Sequence, residues 1–304
     1  MRFVDREKIL ITGANGNLGG ALVKELVDNL AYDVVAISRE KKLVHDMLER
    51  EKISNKDRVY AMDQDTFLHG KWDASSISTA VHAAFSRANK PNKDIAVSLD
   101  YSKHVYSVLH EKNIKKVIYV SSQSVYGSIS EWRSENAAAA PDSTYAMAKY
   151  AGEKLLEEEF DNDPDIMYSI LRLDYIIQSQ RLVPTLCKNA KKRGLLLLKG
   201  GRQTFSYIDR SDAAKAIVAL LKYEKQWKHI YNVGPNKMRY SIMEIAQIVR
   251  EVAQKHGLYD VKINLDEVDT VLWSGMDSSL FMADTGWKPS LDIYQMVEAV
   301  YGEV

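Results

Sequence analysis

Tyr145 and Lys149 stand four residues apart in "STYAMAKYAGEKLLEEEF" (143–160), a stretch that otherwise reads as an ordinary amphipathic helix. At that spacing the two side chains share one helical face, with Cβ atoms roughly 5–6 Å apart, so an ammonium can act on a phenol. Free tyrosine titrates near about 10, and a neighbouring cation is what brings phenolate within reach of neutral pH, where a general base works best. The alternative is an incidental Tyr and Lys on a solvated face. A second candidate is "TGANGNLGG", which sets Gly13, Gly16 and Gly19 at three-residue intervals between an aliphatic run and a helical pattern. Glycines there permit a tight turn and a close approach of backbone to a pyrophosphate, which the N–H groups and dipole of the helix stabilise. Such loops often only turn a chain, but a position after the first strand and before a helix is the context that dinucleotide binding requires.

The elements that must carry these residues alternate. "KILITG" (8–13), "YDVVAIS" (32–38), "RVYAMD" (58–63), "STAVHAAF" (78–85), "KKVIYVSS" (115–122) and "YSILRLDYII" (168–177) are apolar runs of strand length. Between them lie helical patterns such as "LGGALVKELVDNL" and "AVSLDYSKHVYSVLHEK". This alternation predicts an α/β fold, with a mostly parallel sheet covered on both faces and ligands at the carboxyl ends of the strands. Beyond about residue 178 the pattern loosens into basic "KNAKKRG", a short strand near "TFSYID", and the helices "SDAAKAIVALLKY" and "SIMEIAQIVREVAQKHG". We expect a dinucleotide-binding domain over 1–177, joined by 205–234, and a smaller, partly interleaved substrate-binding part over 178–204 and 235–304.

The G-x-x-G-x-x-G spacing, "VSSQSVYG" (120–127) and the Y-x-x-x-K pair together resemble the extended short-chain dehydrogenase/reductase family, and within it the nucleotide-sugar epimerases, dehydratases and reductases. "MDQ" (62–64), "HAA" (82–84), "ILR" (170–172), "YIDRSDAAKAI" (207–217), "YNVG" (231–234) and "DTGWKP" (284–289) extend the likeness over most of the chain. The resemblance implies a Rossmann-type doubly wound sheet. It implies that Tyr145 is the acid/base, that Lys149 lowers its pKa and hydrogen-bonds the nicotinamide ribose, and that Ser122 hydrogen-bonds the reacting oxygen, with Ser124 as runner-up. It further implies cofactor contacts from Gly13, Asn15, Gly16, Asn17, Leu18, Gly19, Ser38, Arg39, Asp63, Gln64, Ala83, Ala84, Lys149 and Leu173.

Cofactor choice turns on "AISREKK". Enzymes that prefer NAD place an acidic residue at the end of the second strand, whereas here Ser38 is followed by Arg39, which suits a 2′-phosphate and favours NADP over NAD. A solvated basic turn is the alternative. Asp63 matches the family aspartate that takes the adenine amino group, and a strand cap is its plainer role. The substrate end departs from the family. The Asp-Glu pair that dehydratases carry is here Gln123 and Ser124, which argues against dehydration. The arginines expected to bind a nucleotide diphosphate are replaced by Gln203, with Arg202 beside it, and by Trp273, while Tyr175 replaces an asparagine. Ser124, Tyr175, Arg202 and Gln203 are the expected substrate contacts.

Composition excludes other classes. In 304 residues, 41 basic and 41 acidic side chains cancel, so no global field draws the chain to nucleic acid or an anionic membrane. The single cysteine, Cys187, excludes an internal disulfide framework and reads as a packed thiol. Charges in "MRFVDREKILITGANG" argue against a signal peptide, and "LLLL" (195–198) is too short to span a bilayer, so a cytoplasmic location is expected. His82 reads as a packed strand histidine, and no His/Cys/Asp/Glu cluster has metal spacing. Three functions follow in order: a sugar-nucleotide epimerase using transient hydride transfer, an NADPH-dependent reductase of a keto-sugar or other small carbonyl compound, and a non-catalytic cofactor-sensing protein. A homodimer through the tyrosine helix and the stretch 95–111 is expected from the family.

Overall fold

The computed structural model describes residues 7–30, 32–269 and 271–304. The charges at 1–6, part of the argument against a leader, lie outside the described residues. In chain order the elements begin β1 (Lys8–Thr12), α1 (Asn17–Lys24, running on as a π turn over Glu25–Asn29), β2 (Asp33–Ser38), α2 (Lys41–Arg50), β3 (Val59–Asp63) and α3 (Gln64–His69). They continue with β4 (Ile77–His82), α4 (Asn92–Glu111), β5 (Lys116–Ser122), α5 (Thr144–Phe160), β6 (Met167–Leu173), β7 (Tyr175–Ile176), α6 (Leu182–Arg193) and β8 (Leu195–Lys199). The last are β9 (Thr204–Phe205), β10 (Tyr207–Ile208), α7 (Arg210–Leu221), β11 (Ile230–Val233), β12 (Tyr240–Ser241), α8 (Ile242–Lys255), β13 (Lys262–Asp266), α9 (Ser279–Thr285) and α10 (Ile293–Glu303).

Seven strands make one sheet in the order β11-β6-β5-β4-β1-β2-β3, and every pairing within it is parallel. Because its strands are covered on both faces, they read as nearly continuous aliphatic runs. Leu22, Val23, Ala213 and Ile217 of α1 and α7 bury one face, while Val105, Leu109, Leu156 and Phe160 of α4 and α5 bury the other. The chain leaves β1 outward to β2 and β3, then returns to β4 on the other side of β1. Strand order therefore reverses between β1 and β4, and their carboxyl ends open a crevice there, which is where such sheets take ligands. The Rossmann-type expectation holds.

A second core lies apart from the sheet, built from α6, α8 and α10 around Leu186, Val249 and Val297, with Leu196 and Leu198 of β8. β8 pairs with β13, so "LLLL" is no uniform apolar run. Leu196 and Leu198 are buried while Leu197 is 58% exposed, the period-2 alternation of a two-stranded ribbon. The single strand expected over 168–177 is two. β6 stops at Leu173, Asp174 donates its N–H to Val233, and Tyr175–Ile176 turn away to pair with β10. Among the described residues no helix is long and apolar enough to cross a membrane.

Candidate active site

The glycine loop is shaped by exclusion. Gly13 has φ +71°, in the left-handed region, and a Cβ there would lie 2.7 Å from the Ala84 backbone. A Cβ on Gly19 would lie 2.2 Å from the carbonyl oxygen of Gly13, whereas one on Gly16 would meet that oxygen only at 3.2 Å. The loop thus folds onto itself and onto the turn after β4, and Gly16 closes it by donating its N–H to Gly13. Arg50 fixes it from outside through the Asn15 carbonyl, and Asn17 reaches across the cleft to the Ser179 hydroxyl at 3.1 Å. Gly16 caps α1 with no side chain over its first N–H groups. A cradle that any Cβ would fill, below an open helix N-terminus, fits a dinucleotide pyrophosphate.

Facing the loop is a cleft of about 180 Å³. Gly13, Gly16, Asn17, Leu18, Gly19 and Ala83 line one side, and Ser122, Tyr145, Lys149, Leu173 and Tyr175 the other. Ser122 ends β5, and its Oγ accepts from the Ser124 N–H at 3.2 Å and from the Ser124 hydroxyl at 3.0 Å. With those acceptances made, the Ser122 proton is free to point onward, and a hydrogen bond from Ser122 pulls the Tyr145 phenol down while burial, the larger effect, pushes it up to about 12. Ser124 thus supports Ser122 from behind.

Ser143 caps α5 through the Ala146 N–H and sets the helix so that Tyr145 and Lys149 share its inner face. Lys149 donates to the Val120 carbonyl at 2.7 Å, and its ammonium lies 4.1 Å from the Phe85 ring centroid, with Phe85 also edge-on to Tyr145. Burial lowers the Lys149 pKa to about 7, opposed by Glu153. Tyr145 and Lys149 are thus both shifted toward their neutral forms by desolvation. Glu153, one turn further along α5, receives two hydrogen bonds from Arg172 at 3.0 and 2.6 Å and one from Ser121. This fully buried fork ties α5 to β5 and β6.

Other candidates lie outside this cleft. Ser38 is buried and donates to the Glu40 carbonyl, while Arg39 is exposed. Asp63 caps α3 by accepting from the Thr66 N–H at 2.8 Å and pairs with Lys41 at 3.7 Å, and Gln64 opens that helix. Arg202 is exposed. Gln203 turns inward, its amide donating to the Lys199 carbonyl and packing under Gly200. His82 is held by Thr12 and Ser102 among three tyrosine rings, and burial lowers its pKa to about 3. Among the described residues no group of three or more His, Cys, Asp or Glu side chains could hold a metal ion.

Three residues escaped the sequence reading. Phe85 was hidden as the last letter of a strand run. Glu153 continues the four-residue spacing of Tyr145 and Lys149, a signal that was available. Asp174 was the one charge inside the apolar end of "LRLDYII". It lines the cleft at 2% exposure, accepts from the Ser206 hydroxyl at 2.7 Å, and burial pushes its pKa up to about 7. Gly234 makes room for it, since a Cβ there would come within 1.9 Å of the Asp174 carboxylate.

A parallel sheet with a glycine cradle at its switch point and a Ser/Tyr/Lys cluster across the crevice defines a dinucleotide-dependent enzyme fold. Residues 9–234 match the model of the NAD dependent epimerase/dehydratase family, and the chain belongs to that family, within the extended short-chain dehydrogenase/reductases. A putative UDP-glucose 4-epimerase of Methanocaldococcus jannaschii is 24% identical over 317 residues, covering 96% of each chain. An uncharacterized UDP-glucose epimerase of Bacillus subtilis is 23% identical over 262 residues, 81% of this chain and 82% of that one. Among solved structures, UDP-glucuronic acid 4-epimerase of Bacillus cereus, in complex with UDP-glucuronic acid and NAD, superposes with a TM-score of 0.82 at 24% identity, covering 97% of this chain and 98% of its own. UDP-glucose 4-epimerase of Bifidobacterium longum, with NAD and UDP, gives 0.78 at 20% identity and 97% of each chain. These structural likenesses establish the shared fold.

Proposed function

We propose that the protein is a nucleotide-sugar epimerase. The observation that carries this reading is the convergence of Ser122, Tyr145 and Lys149 on one cleft with the glycine cradle. Tyr145 takes the proton of the sugar hydroxyl and later returns one to the same oxygen. Ser122 donates to that oxygen, its own acceptor sites being filled by Ser124. Lys149 would hydrogen-bond a ribose hydroxyl of the dinucleotide. A nicotinamide dinucleotide, when bound, would serve as hydride acceptor and then donor, with no net redox. Gly13, Gly16, Asn17, Leu18, Gly19, Ala83, Ala84 and Leu173 would hold the dinucleotide, and Asp63 and Gln64 its adenine. The labour divides between 1–177 with 205–234, which holds the dinucleotide, and 178–204 with 235–304, which holds the sugar. The epimerases similar to this chain support the reading, and the lack of carboxylates at 123 and 124 weighs against dehydration.

NADP is supported by Arg39, and NAD by its presence in the solved epimerases just described. A reductase remains the second reading, because Gln203 is turned inward and Arg202 outward, which leaves this stretch without the expected diphosphate clamp. A homodimer is supported by the exposed apolar Val97 and Met147 on α4 and α5. A cytoplasmic location is the reading that a single buried, unpaired Cys187 supports. The test is to identify by mass the dinucleotide released from the freshly purified, denatured protein and to incubate the intact protein with UDP-hexoses. Interconversion of C4 epimers with no change in reduced nicotinamide supports the epimerase. Consumption of NADPH by a ketone, without interconversion, replaces it with the reductase.

A further inference from the structure

Asp174 lines the cleft, and it and two residues of the packing around it carry buried polar atoms without hydrogen-bond partners, Asp174 Oδ1, Gln123 Nε2 and Arg239 Nη1. They belong to one connected group. Ser206, whose hydroxyl donates to Asp174, donates its backbone N–H to Ser274 Oγ, and the next residue, Gly275, donates to Gln123 Oε1 at 2.7 Å. A Cβ on Gly275 would come within 2.7 Å of the Trp132 ring, and Arg239 stacks its guanidinium 3.7 Å from the centroid of that ring. Arg239 also donates to the Ser130 carbonyl, and it and Asp174 lie close enough to act on each other's charge. The orientation of Gln123 is fixed, because the bond from Gly275 commits its oxygen and leaves its NH₂ as the free donor.

The three atoms comprise one acceptor and two donors. Leaving such atoms buried and unpaired is unfavourable, so a ligand that completes them gains specificity from doing so. A hydroxyl both donates and accepts, so hydroxyl groups match this mixed set, and the Trp132 ring beside Arg239 is an apolar surface of the kind that packs on a sugar ring. A carboxylate would satisfy the two donors but would press against the Asp174 oxygen.

We propose that Asp174, Gln123 and Arg239 form a subsite that holds a neutral, hydroxyl-bearing edge of the substrate's sugar, and that Asp174 selects neutral sugars over uronic acids. The inference rests on the nucleotide-sugar reading. It is tested on the full-length protein loaded with its dinucleotide, titrated with UDP, UDP-glucose and UDP-glucuronic acid while tryptophan emission is followed. UDP-glucose should bind about ten-fold more tightly than UDP-glucuronic acid, the worth of one charged hydrogen bond. Asp174→Asn, which keeps its shape and its bond to Ser206, should erase that preference and leave UDP affinity unchanged. Arg239→Lys, at a half-buried position, should weaken both sugars without weakening UDP. Equal affinity for the two sugars in the wild type, or sugar affinities indifferent to both substitutions, overturns the subsite and leaves the cluster a water site. UDP binding with no gain from either hexose overturns the subsite alone. Failure of all three ligands to bind overturns the nucleotide-sugar reading, and the subsite with it.

Discussion

The two walls of the cleft are made of different material. On the glycine side the contacts are set by backbone, where a Cβ on Gly13 or Gly19 would strike main-chain atoms at 2.7 and 2.2 Å, and the helix N-terminus offers bare N–H groups. On the Asp174 side they are set by side chains drawn from separate segments, with buried polar atoms left unpaired. A backbone wall fits any dinucleotide of the right shape and leaves little to vary. A side-chain wall can be rebuilt one residue at a time, which is where members of one fold can differ in what they recognise.

The strongest way to break this comparison is Tyr145→Phe, which removes the proton-transfer group between the walls. Turnover should fall by about 10²–10⁴-fold, while dinucleotide affinity, titrated on the stripped protein, stays unchanged. A parallel loss of affinity would mean that Tyr145 holds the backbone wall together and that the two walls are not separable. Gly13→Ala attacks that wall directly. It forces a side chain into φ +71° and into the Ala84 backbone, so denaturant unfolding should lose about 1–3 kcal/mol and dinucleotide binding should fail with it. Gly16→Ala, with φ −75° and only a 3.2 Å contact, is the control and should cost less.

That asymmetry explains what could be read beforehand. Gly13, Gly16 and Gly19 were legible because only glycine fits there, and the residue type reports the geometry. Tyr145 and Lys149 were legible because helical spacing puts them on one face, and Ser122 because its strand ends where ligands bind. Asp174 was not, since its strand run reads as continuous and nothing local says that the chain leaves the main sheet at that residue. Nor was the inward turn of Gln203, which follows from Gly200 and the Lys199 carbonyl. Positions 123, 132, 174, 206, 239 and 275 meet only through tertiary packing, so no spacing along the chain announces them.

Lys149 stands across the cleft from the glycine loop, and its titration sharpens the comparison. Its folded pKa is lowered to about 7 from an ordinary 10.5. Between those values the unfolded chain keeps a proton that the folded protein has shed, so the contribution of this group to stability rises with pH across that window. Dinucleotide affinity should run the other way, because the ribose bond needs the ammonium: highest below pH 7 and falling as pH rises through it. Lys149→Met should flatten both slopes, followed by urea unfolding and by dinucleotide titration at matched pH values. If only the stability slope flattens, Lys149 serves the fold and not the ribose.

The smallest effect is expected at Arg39, the one position on the dinucleotide side where a side chain could decide. Its guanidinium is exposed, so any contact with a 2′-phosphate is made in water and is weakened by salt. Arg39→Ala should therefore lower NADP affinity by about ten-fold at low ionic strength, the worth of one charged hydrogen bond, with the difference shrinking as salt is added and NAD affinity unmoved. If neither dinucleotide responds, Arg39 is a solvated turn residue, and the dinucleotide wall is selected by backbone alone. Its cofactor preference would then have to come from the buried end of β2, where Ser38 is already committed to the Glu40 carbonyl.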